Sequence, residues 1–170
     1  MPDISALNGT AIDNVAEFDG LTVTDVPAFT GLLDETYGSG AAAAYSVRRL
    51  ASATTVLMRV RRASDNVEAD VGFDASNELS LTSPISNTSD AQSYTDFADF
   101  VDHTGTPTNA FLRYWYDQSG NANDAGQSTT TKQPQIYDGA LLTNSNGNTA
   151  VQFRRTGTTT MTTPAFDMYN

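Results

Sequence analysis

The feature that most limits how this chain folds is an aromatic, strand-like run that leads directly into a very polar loop. The aromatic run occupies residues 111–116, and residues 115–127 read WYDQSGNANDAGQ. So many Asp, Asn, Ser and Gly residues together indicate a turn whose side chains bond their own backbone, with Gly120 free to adopt a positive φ. An ordered loop of this kind at a strand end can hold a cation or a sugar, or it can simply be a stable turn.

The binding hypothesis rests on two kinds of side chain in this stretch. Aromatic rings stack on sugar rings, while Asp and Asn oxygens fix sugar hydroxyls or a calcium ion. No cofactor is predicted, Ca²⁺ is kept only as a candidate ligand of this loop, and no catalytic residue is assigned. The candidate carbohydrate- or cation-binding residues are Tyr114, Trp115, Tyr116, Asp117, Asn121, Asn123 and Asp124.

Residues 111–116 are predicted to form a strand that is buried on both sides. Alternation with period 2 places Phe111, Arg113 and Trp115 on one face, and Leu112, Tyr114 and Tyr116 on the other. Because both faces are largely apolar, the strand is expected to lie in the core of a sandwich. Trp115 would then anchor that core rather than serve as a platform for a sugar, and both interpretations stay open.

Two further runs, residues 56–62 and 67–73, also alternate with the period of a strand. The turn-forming residues 64–66 separate them, which predicts an antiparallel hairpin. The arginines of the first run are expected to lie opposite Glu68 and Asp70 of the second, so the RVRR sequence is read as a paired strand face rather than a nucleic-acid patch. The first run should place Val56, Met58 and Val60 on one face, and Leu57, Arg59 and Arg61 on the other.

Two segments favour helices. Residues 41–52 are rich in alanine, and residues 91–101 have apolar residues at helical spacing, with Ser89 or Asp90 as the N-cap. His103 follows in a loop and is expected to be simply exposed. The predicted fold class is mainly β with a few short helices (α+β): an extended N-terminal repeat arm followed by a small antiparallel β module.

The charge balance excludes several kinds of partner. The chain of 170 residues has 20 acidic and 9 basic side chains, for a net charge of −11. Phosphate binding needs clustered Lys and Arg, so nucleic acid is not an expected partner, and neither is an anionic membrane. The chain contains no Cys and one His, which leaves no disulfide framework and excludes most zinc and catalytic-triad designs. No apolar run approaches the length of a membrane span, and the first residues lack the pattern of a signal peptide.

The first 33 residues contain a repeat of 11 residues. Glycines recur at positions 9, 20 and 31, the first two after Asn and Asp, which are strong turn signals. Units this short cannot bury their own apolar side chains and need neighbours. The arm is therefore expected to pack on another protein or on its own symmetry mates, although a meander packed on the main domain is the alternative. The apolar attachment residues are Ile4, Leu7, Ile12, Val15, Phe18, Val23, Val26 and Phe29.

Two motifs carry a resemblance to known proteins. YDQSGN followed by N-D-A-x-Q, at residues 116–127, resembles a motif near the start of the catalytic sandwich of family 54 α-L-arabinofuranosidases. It is also similar to a motif of phage and marine bacterial surface proteins. AYSVRRL at residues 44–50, MRVRRASDN at residues 58–66 and DVGF at residues 70–73 resemble a second block of the same proteins. The resemblance implies the beginning of a concanavalin-like sandwich.

The N-terminal arm adds to the resemblance to phage proteins. Its repeats are similar to those at the N-termini of phage and gene-transfer-particle structural proteins, where they look like attachment segments. In the arabinofuranosidases the catalytic pair of carboxylates lies well downstream of YDQSGN, beyond the last position of this chain. The resemblance therefore implies no catalysis by these residues, and the chain is not expected to be an enzyme.

The expected organisation follows from these parts. Residues 1–33 form the attachment arm, residues 34–155 the YDQSGN-containing module, and residues 156–170 the start of a further domain in a longer protein. The expected function is a structural component of a phage or phage-like particle, such as a spike, a tail fibre or an adhesin base, at the virion surface. It would anchor a receptor- or glycan-binding domain. Its partners would be other virion proteins, its own copies in a homo-oligomer, most simply a trimer, and a host-surface glycan. The alternative is a carbohydrate-binding or arabinofuranosidase-like module whose catalytic part lies outside this chain.

Overall fold

The computed structural model describes most of the chain after residue 27. The described ranges are residues 28–35, 40–103, 105, 107–144, 146–155 and 158–165, with the backbone of four short strands before them. The statements below refer to these residues.

The first two repeat units each form a small antiparallel hairpin. β1 (Ala6–Leu7) pairs with β2 (Thr10–Ala11), and β3 (Glu17–Phe18) pairs with β4 (Leu21–Thr22). In the sequence, Asn-Gly separates β1 from β2, and Asp-Gly separates β3 from β4. The prediction of short strands joined at these dipeptides is therefore confirmed for the first two units. Side chains in these strands lie outside the described residues.

The third repeat unit contacts the module. The Phe29 ring lies under the Arg49 guanidinium, 4.9 Å from its centroid. The Leu33 amide donates to the Leu50 carbonyl at 2.8 Å. A β-carbon at Gly31 would lie 2.1 Å from the Leu50 carbonyl oxygen, so this repeat glycine is required by close approach of two backbones.

The centre of the module is one open six-stranded antiparallel sheet in the order β10-β8-β5-β6-β7, with β9 also paired to β8. The strands are β5 (Val56–Arg62), β6 (Glu68–Gly72), β7 (Ile85–Ser86), β8 (Ala110–Trp115), β9 (Ala125–Gly126) and β10 (Gln135–Tyr137). The predicted hairpin is confirmed as β5 and β6. The prediction of a mainly β fold is confirmed as well.

One face of this sheet is covered by a short helix, α1 (Phe97–Val101). Phe97 and Phe100 are fully buried, and the Phe97 ring meets Tyr137 edge-on with centroids 5.9 Å apart. Burial of one such side chain contributes roughly 1.5–3 kcal/mol. The sheet contributes Met58, Val60, Ala69, Val71, Ala110 and Leu112 to the same core.

Arg62 ties this helix to the hairpin. Its side chain is 2% exposed and donates to the Phe100 carbonyl. The guanidinium also bonds Asp65 at 2.8 Å and lies 5.2 Å from the centre of the Tyr94 ring. A buried cation is tolerated here because its donors are paired and aromatic faces surround it.

A bulge in β8 makes the faces of this strand differ from those predicted by simple alternation. Arg59 pairs with Tyr114 but Val60 pairs with Leu112, so Arg113 is an extra residue. Cross-strand partners share a face, which puts Tyr114 beside Arg59 and Trp115 on the core face. The assignment of Trp115 to the face of Phe111 was therefore wrong.

A second irregularity lies between Val56 and Met58 of β5. Leu57 was assigned to the arginine face, but it is fully buried. Simple alternation fails at both places because one extra residue shifts every later side chain to the other face.

The helix predicted over residues 91–101 begins later, at Phe97, with Asp96 as its N-cap. Ala91 has a φ of 58°, which a helix does not contain. Asp90 does not cap the helix, because its carboxylate accepts from the Tyr94 hydroxyl at 2.6 Å. His103 lies exposed after the helix, as predicted, with its ring against Tyr94.

The helix predicted over residues 41–52 is absent from that range, which is irregular. Its alanines favour a helix only weakly, since propensity is easily overridden by tertiary contacts. Side chains of the loop after β8 bond its backbone groups, as described below.

Candidate functional site

The loop after β8 holds the irregular segment 41–50 in place, and Asp117 is its centre. The Oδ1 atom of Asp117 accepts from the Ala44 amide and the Ser119 amide, both at 2.8 Å. Its Oδ2 atom accepts from the Ser119 hydroxyl at 2.7 Å and the Asn123 amide at 3.1 Å. A carboxylate has about four acceptor positions, so Asp117 uses all of them within the protein.

The titration of Asp117 reflects these donors. Burial alone raises the pKa of this carboxyl, but the donors from Ser119, Ala44 and Asn123 outweigh it and hold the pKa below its ordinary value. Asp117 is therefore ionised and fully bonded at neutral pH. No acceptor position is left for a metal ion unless one of these bonds breaks.

The two candidate asparagines serve the same segment. Asn121 Nδ2 donates to the Ala41 carbonyl at 2.8 Å, and Asn123 Nδ2 donates to the Ala42 carbonyl at 2.8 Å. Asp124 closes the loop by accepting from the Asp117 amide at 2.8 Å. All four polar candidates thus bond backbone groups of the protein.

Gln118 completes this arrangement, and the sequence reading missed it. Its side chain is 1% exposed, and its Oε1 atom accepts from the Leu50 amide at 2.7 Å. Its Nε2 atom donates to the carbonyls of Ser46 and Arg48 at 3.2 and 3.0 Å. We call the bonded unit of residues 117–124 and 41–50 the clamp. Most of YDQSGN lies in one part of the clamp, and AYSVRRL lies in the other.

The aromatic candidates divide between the two faces of the sheet. Trp115 packs against the core, and its Nε1 atom donates to the Ser46 carbonyl at 3.2 Å. Tyr114 and Tyr116 stack on the opposite face, with centroids 6.4 Å apart and planes at 8°. Trp115 therefore lies where the core-anchor interpretation places it.

The face with the two tyrosines also carries the ion pairs of the hairpin. Arg59 bonds Glu68 and Asp70, each at 2.9 Å, which confirms the predicted pairing for this arginine. The Tyr116 hydroxyl donates to Asp70 at 2.8 Å. Burial, and then the negative charge of Asp70, raise the pKa of Tyr116 far above its ordinary value.

Arg61 departs from the predicted pairing. It lies directly opposite Glu68 in the register, yet its Nε atom donates to Gln133 Oε1 at 2.7 Å. Its Nη1 atom bonds Asn66 at 2.9 Å, and the guanidinium lies 5.0 Å from the centre of the Phe111 ring. Desolvation lowers the pKa of Arg61, although the charge of Glu68 acts in the opposite direction.

An open cavity of about 370 Å³ lies beside Arg61, where β8 meets β10. Its walls are neutral polar side chains, one aromatic ring and one guanidinium. They are Phe111, Thr130, Thr131, Gln133, Gln135, Arg154 and Thr159. The sequence reading missed this site because its residues come from separate parts of the chain.

The structure describes only some of the predicted attachment residues. Leu7 and Phe18 lie in β1 and β3, where the backbone alone is described. Phe29 contacts Arg49, as given above. The remaining ones, Ile4, Ile12, Val15, Val23 and Val26, lie outside the described residues.

Metal-binding clusters and membrane-spanning helices are both absent from the described residues. In the described part of the chain, no three His, Cys, Asp or Glu side chains converge so as to hold a metal ion. The expected Ca²⁺ site stays a prediction. Within the same residues, no helix has the length and apolar character needed to cross a membrane.

The chain as a whole matches no family model, no curated protein and no solved structure.

Proposed function

We propose that this chain is a structural component of a phage or phage-like particle, at the base of a spike, fibre or adhesin. Its first residues attach it to the particle or to its own copies, and its module carries a receptor- or glycan-binding part at the surface. In this proposal the open sheet is the beginning of a concanavalin-like sandwich. The observation that carries it is the pair of small hairpins spaced by 11 residues.

The hairpins support attachment because they are too small to be stable alone. Each has two paired residues per strand, and even longer isolated hairpins are only marginally stable in water. Leu7 and Phe18 occupy equivalent positions in the two units. Repeated apolar side chains on short paired strands gain stability when neighbouring chains cover them.

The module supports a mechanical role. The polar residues of the clamp bond backbone groups about 70–80 positions away in the sequence, which fixes two distant segments against each other. The ion pairs of Arg59 with Glu68 and Asp70 cross-link β5 and β6 on the face of the sheet that points away from the core. Such cross-links suit a part that transmits force between a particle and a bound surface.

Oligomeric state is the direct test of this function. Light scattering should show an oligomer for the full chain and a monomer for a chain that starts at Ala28, which keeps the contacts of Phe29, Gly31 and Leu33 with the module. A double substitution Leu7→Ser, Phe18→Ser should also give a monomer. Leu81→Ser, which changes a side chain of the module that is 41% exposed, is the matched control and should leave the oligomer intact. If the full chain and the shortened chain are both monomers, attachment of the chain to its own copies through these residues is wrong.

A further inference from the structure

The cavity where β8 meets β10 differs in charge from the rest of the chain. Residues 125–166 contain three basic side chains, Lys132, Arg154 and Arg155, and one acidic side chain, Asp138. The whole chain has 20 acidic residues against 9 basic ones. None of the seven residues that line the cavity is acidic. An acidic protein has thus kept one region where an anion is not repelled.

Arg154 at the cavity wall has neutral partners. Its Nε atom donates to Gln152 Oε1 at 2.6 Å, and its Nη2 atom donates to Gln135 Oε1. Among the residues that the structure describes, no carboxylate lies within ion-pair distance of it. A guanidinium has five N–H donors, so several of them can still bind a carboxylate in the two-pronged manner that Arg favours.

The glutamines behind Arg154 are buried and fixed. Gln133 and Gln135 are each 2% exposed. Gln133 is held between Arg61 and the Gln127 carbonyl, while the Nε2 atom of Gln135 donates to the Tyr137 carbonyl. Because Gln135 Oε1 accepts from Arg154, this bonding also sets the direction of the guanidinium before any ligand arrives, which lowers the entropy cost of binding.

The other walls provide hydroxyl groups and one apolar ring. Thr130 and Thr131 belong to a short 3-10 helix, Thr130–Lys132. The Thr159 hydroxyl accepts from the Arg154 amide at 2.5 Å and donates to the Arg154 carbonyl at 3.3 Å, so it holds the Arg154 backbone. The Phe111 ring has the Arg61 guanidinium against it. A volume of about 370 Å³ falls in the range of small-molecule sites, which is roughly 300–1,000 Å³.

We infer that this cavity binds a sugar that carries a carboxylate, such as a uronic or sialic acid unit. Arg154 pairs with the carboxylate, the hydroxyls of Thr130 and Thr131 bond the sugar hydroxyls, and Phe111 packs against the ring carbons. This inference rests on the proposed function for its biological setting, since it names the class of surface glycan that the module would meet. None of the candidate residues between Tyr114 and Asp124 that the sequence had suggested lines this cavity.

The test is a titration of the full chain with small ligands, in which calorimetry measures the affinity and NMR locates the binding site. The ligands are D-glucuronate and N-acetylneuraminate, with glucose and acetate as reference compounds. We expect binding of at least one sugar acid, with affinity at least tenfold higher than for glucose or acetate, and with shifts at Thr131 and Gln133. Arg154→Gln should weaken that binding by roughly tenfold to a hundredfold, because a charge-assisted pair is lost.

Arg155→Gln removes the same charge one residue away, outside the cavity lining, and is the matched control. It should change the affinity less than threefold, which is about 0.6 kcal/mol. Equal binding of acetate, equal loss in both variants, or no binding of either sugar acid at high millimolar concentration would each overturn the inference. These outcomes are independent of oligomeric state, so the cavity and the attachment role can fail separately.

Discussion

The clamp and the cavity are both polar, but they differ in where their hydrogen bonds go. Asp117 and Gln118 use their acceptors and donors inside the clamp: Asp117 on Ala44, Ser119 and Asn123, and Gln118 on the backbone of residues 46–50. Arg154 is held only by neutral amides and keeps donors available. The density of Asp and Asn in a sequence is therefore a poor guide to a binding site. The more informative question is which polar groups remain unused after folding.

Gln118 gives the largest expected effect in this comparison. Gln118→Ala leaves the Leu50 amide and the Arg48 carbonyl without their partner, while the Ser46 carbonyl keeps its bond from Trp115. Each unsatisfied group costs about 1–3 kcal/mol, so we expect a loss of roughly 2–4 kcal/mol in the free energy of unfolding. Urea denaturation followed by circular dichroism measures it. Gln92→Ala, at an exposed position, should change stability by less than about 0.5 kcal/mol, and a similar loss in both would show that Gln118 has no special role.

Asp117 gives the next effect, and it depends on pH. The pKa of Asp117 is lower in the folded chain than in the unfolded chain, where it is about 3.9. Its contribution is therefore complete above the unfolded pKa, and it is lost as pH falls through the folded pKa. Asp117→Asn should reduce stability at pH 7 by about 1–3 kcal/mol, and the loss should shrink as pH falls below the unfolded value.

Urea unfolding at pH 7 and in mild acid measures this dependence for the original chain and the variant. Asp102→Asn changes an exposed carboxylate after α1 and serves as the control. A deficit in Asp117→Asn that stays constant down to strongly acidic pH would contradict the proposed role of its ionised form.

Arg154 gives the smallest effect on stability. Arg154→Gln should change the free energy of unfolding by less than about 0.5 kcal/mol, because the side chain is exposed and an amide can still bond Gln135. The same urea experiment measures it beside Gln118→Ala. If Arg154→Gln is as destabilising as Gln118→Ala, the cavity wall is part of the structural framework and the contrast between the two regions disappears.

The parts of the fold that the sequence predicts well are those determined over a few residues. The hairpin of β5 and β6 follows from alternation and a short turn, and Arg59 then meets Glu68 and Asp70 by register alone. The arm hairpins follow from Asn-Gly and Asp-Gly in the same way. These contacts are local, so the pattern of the sequence contains them.

The parts that the sequence does not predict depend on contacts between distant residues. Alanines in the range 41–52 favour a helix, but Asn121 and Asn123, about 80 positions away, bond the carbonyls of Ala41 and Ala42 and hold this backbone against the loop after β8. The cavity brings together Phe111, residues 130–135 and Arg154 through the pairing of β10 with β8 and its bridge to Gln152. No local pattern marks such a site, although the scarcity of acidic residues after residue 124 is a usable signal.

The bulge at Arg113 has a consequence for how this chain can change in length. With the extra residue in place, Trp115 meets the core and Tyr114 meets Arg59 on the other side. A deletion of one residue within β8 would exchange these two rings, placing a phenol in the core and an indole among charges. Insertions in the exposed turns at residues 75–76 or 146–148 would disturb no such alternation. Related sequences should therefore vary in the lengths of those turns, while the number of residues in β8 stays constant.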